Sequence, residues 1–318
     1  MGPPAALPHP VQADRRPVRA DPVHSRPDSV RRRAGTGLRH PAAGQLEEPQ
    51  YSPGPAAAGT ALIPLVDSHC HLDASEFDAD RTAVIERAGA AGVREQVVPA
   101  VTAASWPKLR EVCRQAPGLY PAYGLHPMFL AEHRPDHLPL LREWIVRERP
   151  CAIGECGLDF FVEGLDAEAQ QAYFIGQLQL AREFELPVIV HARRAVDAVI
   201  AAIRRVGGLR GVVHSFSGSP EQAAQLHRQG FLLGLGGPLT YDRAQRLQRL
   251  VRGMPLEQLL LETDAPDQPD AGIPGQRNEP ARLAVIARHV AALRGMELDA
   301  VAQATTENAR RLFALPAM

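Results

Sequence analysis

His69 and His71 stand one residue apart in Leu65-Val66-Asp67-Ser68-His69-Cys70-His71, after an apolar run that starts at Leu62. The run reads as a buried strand that ends here and releases the chain into a loop. Residues two apart on a strand share a face, so the two imidazoles project together while Cys70 points away. Imidazoles side by side at a strand end can hold a divalent cation. Four more donors recur in the same setting. They are Glu155 in Ala152-Ile153-Gly154-Glu155-Cys156, His191 in Val188-Ile189-Val190-His191, His214 in Gly211-Val212-Val213-His214 and Asp264 in Leu259-Leu260-Leu261-Glu262-Thr263-Asp264.

Four histidines and two carboxylates suit two cations better than one. His69, His71 and Asp264 could hold the first, and His191 and His214 the second, with Glu155 bridging. Cations about 3.5–4 Å apart can trap a hydroxide, present it for in-line attack and stabilise the leaving oxygen. Mixed imidazole and carboxylate donors suit Zn²⁺, Mn²⁺ or Fe²⁺, whereas Mg²⁺ prefers oxygen. The single lysine, Lys108, lies in a helical stretch, so no carboxylated lysine bridges the metals. No GxSxG elbow supports a nucleophilic serine.

These donors need a scaffold that brings distant strand ends together. Short β-like runs at residues 63–69, 96–101, 119–124, 152–156, 188–191, 211–215, 231–235 and 259–263 alternate with helical patterns. The helical patterns span 79–91, 106–114, 137–148, 167–185, 196–205, 221–228, 243–252, 280–293 and 298–313. Eight strand–helix units over about 250 residues predict an α/β fold, a (β/α)8 TIM barrel in one domain, with all strand C-termini on one face. A doubly wound sheet would carry an early glycine-rich phosphate loop, and neither GxGxxG nor GxxxxGK[ST] occurs.

Composition narrows the surroundings. The 318 residues are 45% hydrophobic and 22% charged, with a net charge of −1, which argues against a strong positive field coating nucleic acid. No apolar run reaches the ~18 residues of a membrane span. Four cysteines without a CxxC pair read as reduced thiols in a cytoplasmic protein. Residues 1–60 hold 8 arginines, 5 acidic residues and 11 of the 29 prolines, with no helical or strand period. They are expected to be a disordered leader ahead of a catalytic barrel at 61–318. That barrel carries 27 basic against 31 acidic residues, a net of −4.

Taken in order, Asp67-Ser68-His69-Cys70-His71-Leu72-Asp73, Gly124-Leu125-His126-Pro127, Gly154-Glu155-Cys156-Gly157-Leu158-Asp159, Val190-His191-Ala192-Arg193, His214-Ser215-Phe216-Ser217-Gly218 and Glu262-Thr263-Asp264-Ala265-Pro266 closely resemble the motifs of the TatD-type metal-dependent deoxyribonucleases. The resemblance covers about residues 62–315. It implies a TIM barrel of the amidohydrolase superfamily with a dinuclear site. The ligands it implies map onto His69, His71, Glu155, His191, His214 and Asp264. It also implies 3′→5′ exonuclease activity on DNA and dependence on divalent metal, with Mg²⁺ in play. Cys156 departs from the family, which usually has an aliphatic residue there. It should point opposite to Glu155, into packing behind the barrel. The leader is a second departure.

Around the site, His126 is either a structural histidine or a donor to a substrate phosphate or leaving oxygen, and Arg193 either a fork for a phosphate or a solvated arginine at a helix start. Asp159 and Asp67 are expected to orient imidazoles, and Arg277 and Asn278 to rim the mouth. The leading function is hydrolysis of DNA ends or nucleotides by a metal-bound hydroxide, with Glu155 and Asp264 catalytic and Asp264 managing the nucleophile's proton. The alternative keeps the site but acts on an amide, ester or lactone, including aminoacyl-tRNA esters. A third reading is a non-catalytic scaffold whose arginine-rich leader binds a partner. No membrane and no stable protein partner are expected.

Overall fold

The computed structural model describes residues 64–316, so the expectation for the leader at 1–60 lies outside the described residues. Eight parallel strands run in chain order through one sheet: β1 Leu65–Asp67, β2 Val93–Pro99, β3 Leu119–Tyr123, β4 Ala152–Asp159, β5 Val188–Arg193, β6 Gly211–Val213, β7 Phe231–Leu235 and β8 Leu259–Leu261. Between them lie α1 Arg81–Ala90, α2 Trp106–Cys113, α3 His137–Glu148, α4 Ala167–Glu183, α5 Val196–Val206, α6 Pro220–Arg228 and α7 Gln245–Gly253. Helices α8 Leu283–Arg294 and α9 Leu298–Phe313 follow β8. The seam between first and last strands is closed by backbone bonds. Ser68 N–H donates to the Leu261 carbonyl at 3.0 Å and Asp264 N–H to that of His69 at 2.9 Å. The (β/α)8 architecture is the one the periodicity predicts.

Alternation along the strands builds two cores. Val66, Val97, Ala122, Ala152, Ile189, Val212 and Leu260, one from each of seven strands, pack together with Leu312 and Phe313 of α9. This is the barrel interior, plugged at the strand N-termini by the last helix. The intervening residues, among them Tyr123, Ile153, Val190 and Leu233, pack instead against the helices. On α5, Val199, Ile200 and Ile203 form the buried stripe expected of an amphipathic helix, and Gly207 ends it at φ 67°. Asp166 caps α4 by accepting from the N–H groups of Glu168 and Ala169, and Ser219 caps α6 in a capping box with Gln222.

Two strand boundaries differ from the sequence pattern for physical reasons. β2 begins at Val93 rather than residue 96, because the fully buried Glu95 carries a counter-charge: Arg310 of α9 donates to its carboxylate at 2.6 and 2.8 Å. β4 runs on to Asp159, with a register shift against β5 between Ile153 and Cys156. That shift lets Ala152 and Glu155, an odd number of residues apart, both face inward, and it returns Cys156 to the outer core as expected.

Removing Arg310 would strand the Glu95 carboxylate in the barrel floor. Arg310→Ala is expected to lower unfolding stability by roughly 2–3 kcal/mol, below the range for a fully buried pair because Arg310 is partly exposed. The check is the urea midpoint, and an unchanged midpoint would remove the pair's structural role.

Candidate metal centre

Glu155 is the hub. Its Oε2 lies 3.1 Å from His69 Nε2 and 3.4 Å from His71 Nε2. Its Oε1 lies 2.7 Å from His214 Nε2, 3.0 Å from His126 Nε2 and 3.2 Å from His191 Nδ1. Asp264 Oδ1 joins the first set, 3.3 Å from His69 Nε2 and 3.5 Å from His71 Nε2. All six ligand candidates named from the sequence therefore converge, and the two oxygens of one carboxylate divide them. The division follows the strands: Ile189 and Val212 line the interior, so His191 and His214, two residues on, open into the mouth above it.

The groups behind the rings decide which nitrogen faces the centre. His71 Nδ1 lies 3.2 Å from the Pro99 carbonyl, so that nitrogen carries a proton and Nε2 is the one that faces the carboxylates, giving up any proton of its own when a cation binds. His191 is turned the other way: Nε2 lies 2.8 Å from Asp159 Oδ2, which frees Nδ1. His126 is opposite in kind. Its Nδ1 accepts from Met128 N–H at 3.1 Å, so the neutral ring carries its proton on Nε2, toward Glu155.

Electrostatics matches this geometry. Burial works against charge on Glu155, but His214, His126 and His69 outweigh it and hold the carboxyl well below its usual range. Burial opposes ionisation of Asp264 too, and the bond from His71 with the charges of His69 and His214 brings it down to about 2. His69 is pushed down by burial and then by His214. His71 and His214 are raised despite burial, by bonds and charge from Asp264 and Glu155. Two buried carboxylates here demand positive charge, supplied by protons on the rings or by cations that displace them.

The donor set fits divalent cations. His69 Nε2 and His71 Nε2 lie 3.3 Å apart beside Oε2 and Oδ1, four potential ligand atoms gathered at one point. Among the described residues three groups could each hold an ion: His69, His71 and Asp264; His69, Glu155 and His214; and His126, Glu155 and His191. The first is the grouping expected from the sequence. The third brings His126 Nε2 within 3.0 Å of Glu155 Oε1.

A model of the TatD related DNase family matches residues 66–314. The chain belongs to the TatD-related DNase family. It is 40% identical over 255 residues to the uncharacterized metal-dependent hydrolase YjjV of Escherichia coli (strain K12), covering 79% of this chain and 98% of that one. The crystal structure of that TatD homolog superposes with a TM-score of 0.76 at 38% identity, over 80% of this chain and 99% of that one. A phosphotriesterase homology protein of Escherichia coli shares the fold at a TM-score of 0.59 and 15% identity, over 80% of this chain and 100% of that one.

Several supports of this TatD-family centre were not singled out from the sequence. Glu262 is fully buried behind His214, its Oε1 3.7 Å from Nδ1 and accepting from Ser215 N–H at 2.5 Å. It fits because Gly234 has no side chain, whose Cβ would lie 2.0 Å from Glu262 Oε2. Its inward parity with Leu260 and Asp264 was the available signal. Gln170 and Gln177, two turns apart on α4, clip the backbones that carry the site. Gln170 bonds both backbone groups of Asp159, and Gln177 those of Leu125, the residue before His126.

Three expected placements are revised. Asp67 orients no imidazole; it accepts from His69 N–H and from both the N–H and hydroxyl of Thr263, tying β1 to β8, and burial raises its carboxyl to about 8. Asn278 is buried and donates to the carbonyls of Thr263 and Asp267, pinning the loop after β8 rather than rimming the mouth. Arg277 is committed to Asp80, at 2.7 and 2.8 Å. Arg193 reaches the rim, its guanidinium 3.7 Å from the Phe161 ring centroid.

Asp159→Asn tests the hydrogen-bond logic. An amide would present a donor to His191 Nε2 and push the ring's proton onto Nδ1. The expected cost is about 10–100-fold in metal affinity and in kcat/KM. Metal titration with steady-state rates checks it, and unchanged affinity would show that Asp159 does not set the tautomer.

Proposed function

We propose that this TatD-family metal-dependent hydrolase is a deoxyribonuclease that cleaves phosphodiesters at DNA ends, 3′→5′, with two divalent cations. The observation that carries the reading is Glu155, whose two oxygens each face a separate group of imidazoles. His69, His71 and Asp264 would hold one cation, His191 and His214 the other, with Glu155 shared. Cations there would draw a nucleophile from water at neutral pH and neutralise the charge developing on phosphorus.

The chain's own groups supply the rest. Asp264 keeps one oxygen toward the paired imidazoles and is more open to the mouth than Glu155, which suits it to orient the attacking water and accept its proton. His126, with its proton set on Nε2 by Met128 N–H and directed at Glu155 Oε1 at 3.0 Å, would pass from that carboxylate to a phosphate or leaving oxygen when substrate binds. Arg193, at the end of β5, reads as the fork for a neighbouring phosphate. The family description favours DNA, and four free cysteines favour a reducing compartment such as the cytoplasm.

The test is cleavage of 3′- and 5′-labelled single strands against a panel of Zn²⁺, Mn²⁺, Fe²⁺ and Mg²⁺. Stepwise loss from the 3′ end, abolished by chelation and restored by metal, is expected. Hydrolysis of p-nitrophenyl acetate without any of bis(p-nitrophenyl) phosphate would move the substrate to carbonyl esters.

A further inference from the structure

Six large apolar side chains are exposed among the described residues, and four of them cluster by position: Met128 at 44%, Phe129 at 37%, Phe160 at 44% and Phe161 at 42%. These four lie in two consecutive loops, directly after β3 and β4, at the strand ends that open onto the metal centre. The next loop in the barrel adds Arg193 and Arg194, whose guanidinium carbons lie 3.7 and 4.6 Å from the Phe161 ring centroid. Neither arginine pairs with a carboxylate among the described residues. An aromatic face with two uncompensated cations beside it suits neither a core nor an ordinary solvated surface.

The platform is fixed to the centre by short covalent and hydrogen-bonded paths. Asp159 Oδ2 holds His191, while its Oδ1 accepts the N–H groups of Phe161 and Val162 at 2.8 and 3.0 Å. Phe160 N–H donates to the Arg193 carbonyl at 2.9 Å. Phe129 packs edge-on against His126, ring centroids 5.8 Å apart. One carboxylate thus sets both an imidazole of the centre and the aromatic loop.

We propose that this rim is a binding subsite for single-stranded nucleic acid, in which unpaired bases stack on Phe160 and Phe161 while Arg193 and Arg194 meet the adjoining phosphates. Bases present π faces of any sequence, and guanidinium groups beside aromatic rings bind both stacked bases and phosphate. A duplex keeps its bases stacked on each other and offers this platform only its frayed or overhanging end. The inference deepens the nuclease reading and rests on it for the direction in which the strand enters the mouth.

The experiment measures binding and cleavage separately on the full chain. Fluorescence anisotropy on the metal-loaded protein with a labelled single-stranded oligonucleotide carrying phosphorothioate linkages to prevent turnover gives Kd for wild type, Phe161→Ala and Phe161→Trp. Phe161→Ala is expected to weaken binding about tenfold, as loss of one base–aromatic stack does. Phe161→Trp should restore it, with indole fluorescence quenched by the strand. Against an oligonucleotide with abasic sites at its terminal nucleotides, wild type and Phe161→Ala should bind alike. Equal Kd for wild type and Phe161→Ala on the normal strand, or the same loss on the abasic one, overturns the proposal. Stacking-dependent binding with no cleavage under any metal would leave the subsite standing and end the nuclease reading.

Discussion

Glu155→Ala is expected to lower kcat/KM by about 10³-fold or more, the largest loss of any single change in this chain. Removing one fixed electrostatic partner at a reacting centre commonly costs about 10²–10³-fold. Glu155 holds two groups at once: Oε2 faces His69 and His71, and Oε1 faces His214, His126 and His191. Its loss leaves five imidazoles without the charge that unites them, so the two proposed cations should weaken together. Metal analysis after dialysis should find well under two ions per chain. Glu155→Gln keeps the shape but presents an NH₂ to one set of rings, so it should retain more metal than alanine while staying as inactive. A variant that keeps two ions and ordinary rates would show that the hub is structural only.

Most of the frame is readable in the residues because alternation and amphipathicity are strong there. Strand 231–235 and helices 137–148 and 298–313 have the bounds their patterns predict. Legibility fails where polar residues are buried with partners far along the chain. Glu95 looks like a loop residue until Arg310, 215 positions away, neutralises it. Gln170 and Gln177 look like solvent-facing helix residues until their amides meet the backbones of Asp159 and Leu125. Asn278 looks like a polar rim residue until its bonds to the Thr263 and Asp267 carbonyls bury it.

The convergence of the six candidate ligands was legible for the opposite reason. Each follows an apolar stretch of sequence toward the mouth end of its strand, where one local rule, the shared C-terminal face of a parallel barrel, brings separate stretches together. Glu155 is the exception among them. Strict alternation from Ala152 would turn it outward, and only the register shift in β4 turns it in. Distances between rings, and the tautomers that Pro99, Asp159 and Met128 impose, depend on side-chain placement that no spacing encodes.

Asp264→Asn is expected to cost about 10²–10³-fold in kcat while leaving most of the bound metal in place, which separates its role from that of Glu155. Asp264 touches only one of the two donor groups, through Oδ1. Its other oxygen accepts from Gln268 Nε2, and Gln268 Oε1 in turn accepts from the Ser215 hydroxyl at 2.9 Å. Asp264, Ser215 and Gln268 all adopt positive φ, 56°, 46° and 50°, a left-handed conformation that non-glycine residues hold only where surroundings enforce it. Here the enforcement is their mutual bonding. An asparagine keeps the shape but loses the base that would take a proton from water. Gln268→Ala should cost about 10–100-fold by freeing the Asp264 carboxylate to rotate. Because Gln268 acts through Asp264, the double variant should be no slower than Asp264→Asn alone. Additive losses would mean that Gln268 meets the substrate itself, and Asp264→Asn with near-normal kcat would move the proton to another group, with His126 the first to examine.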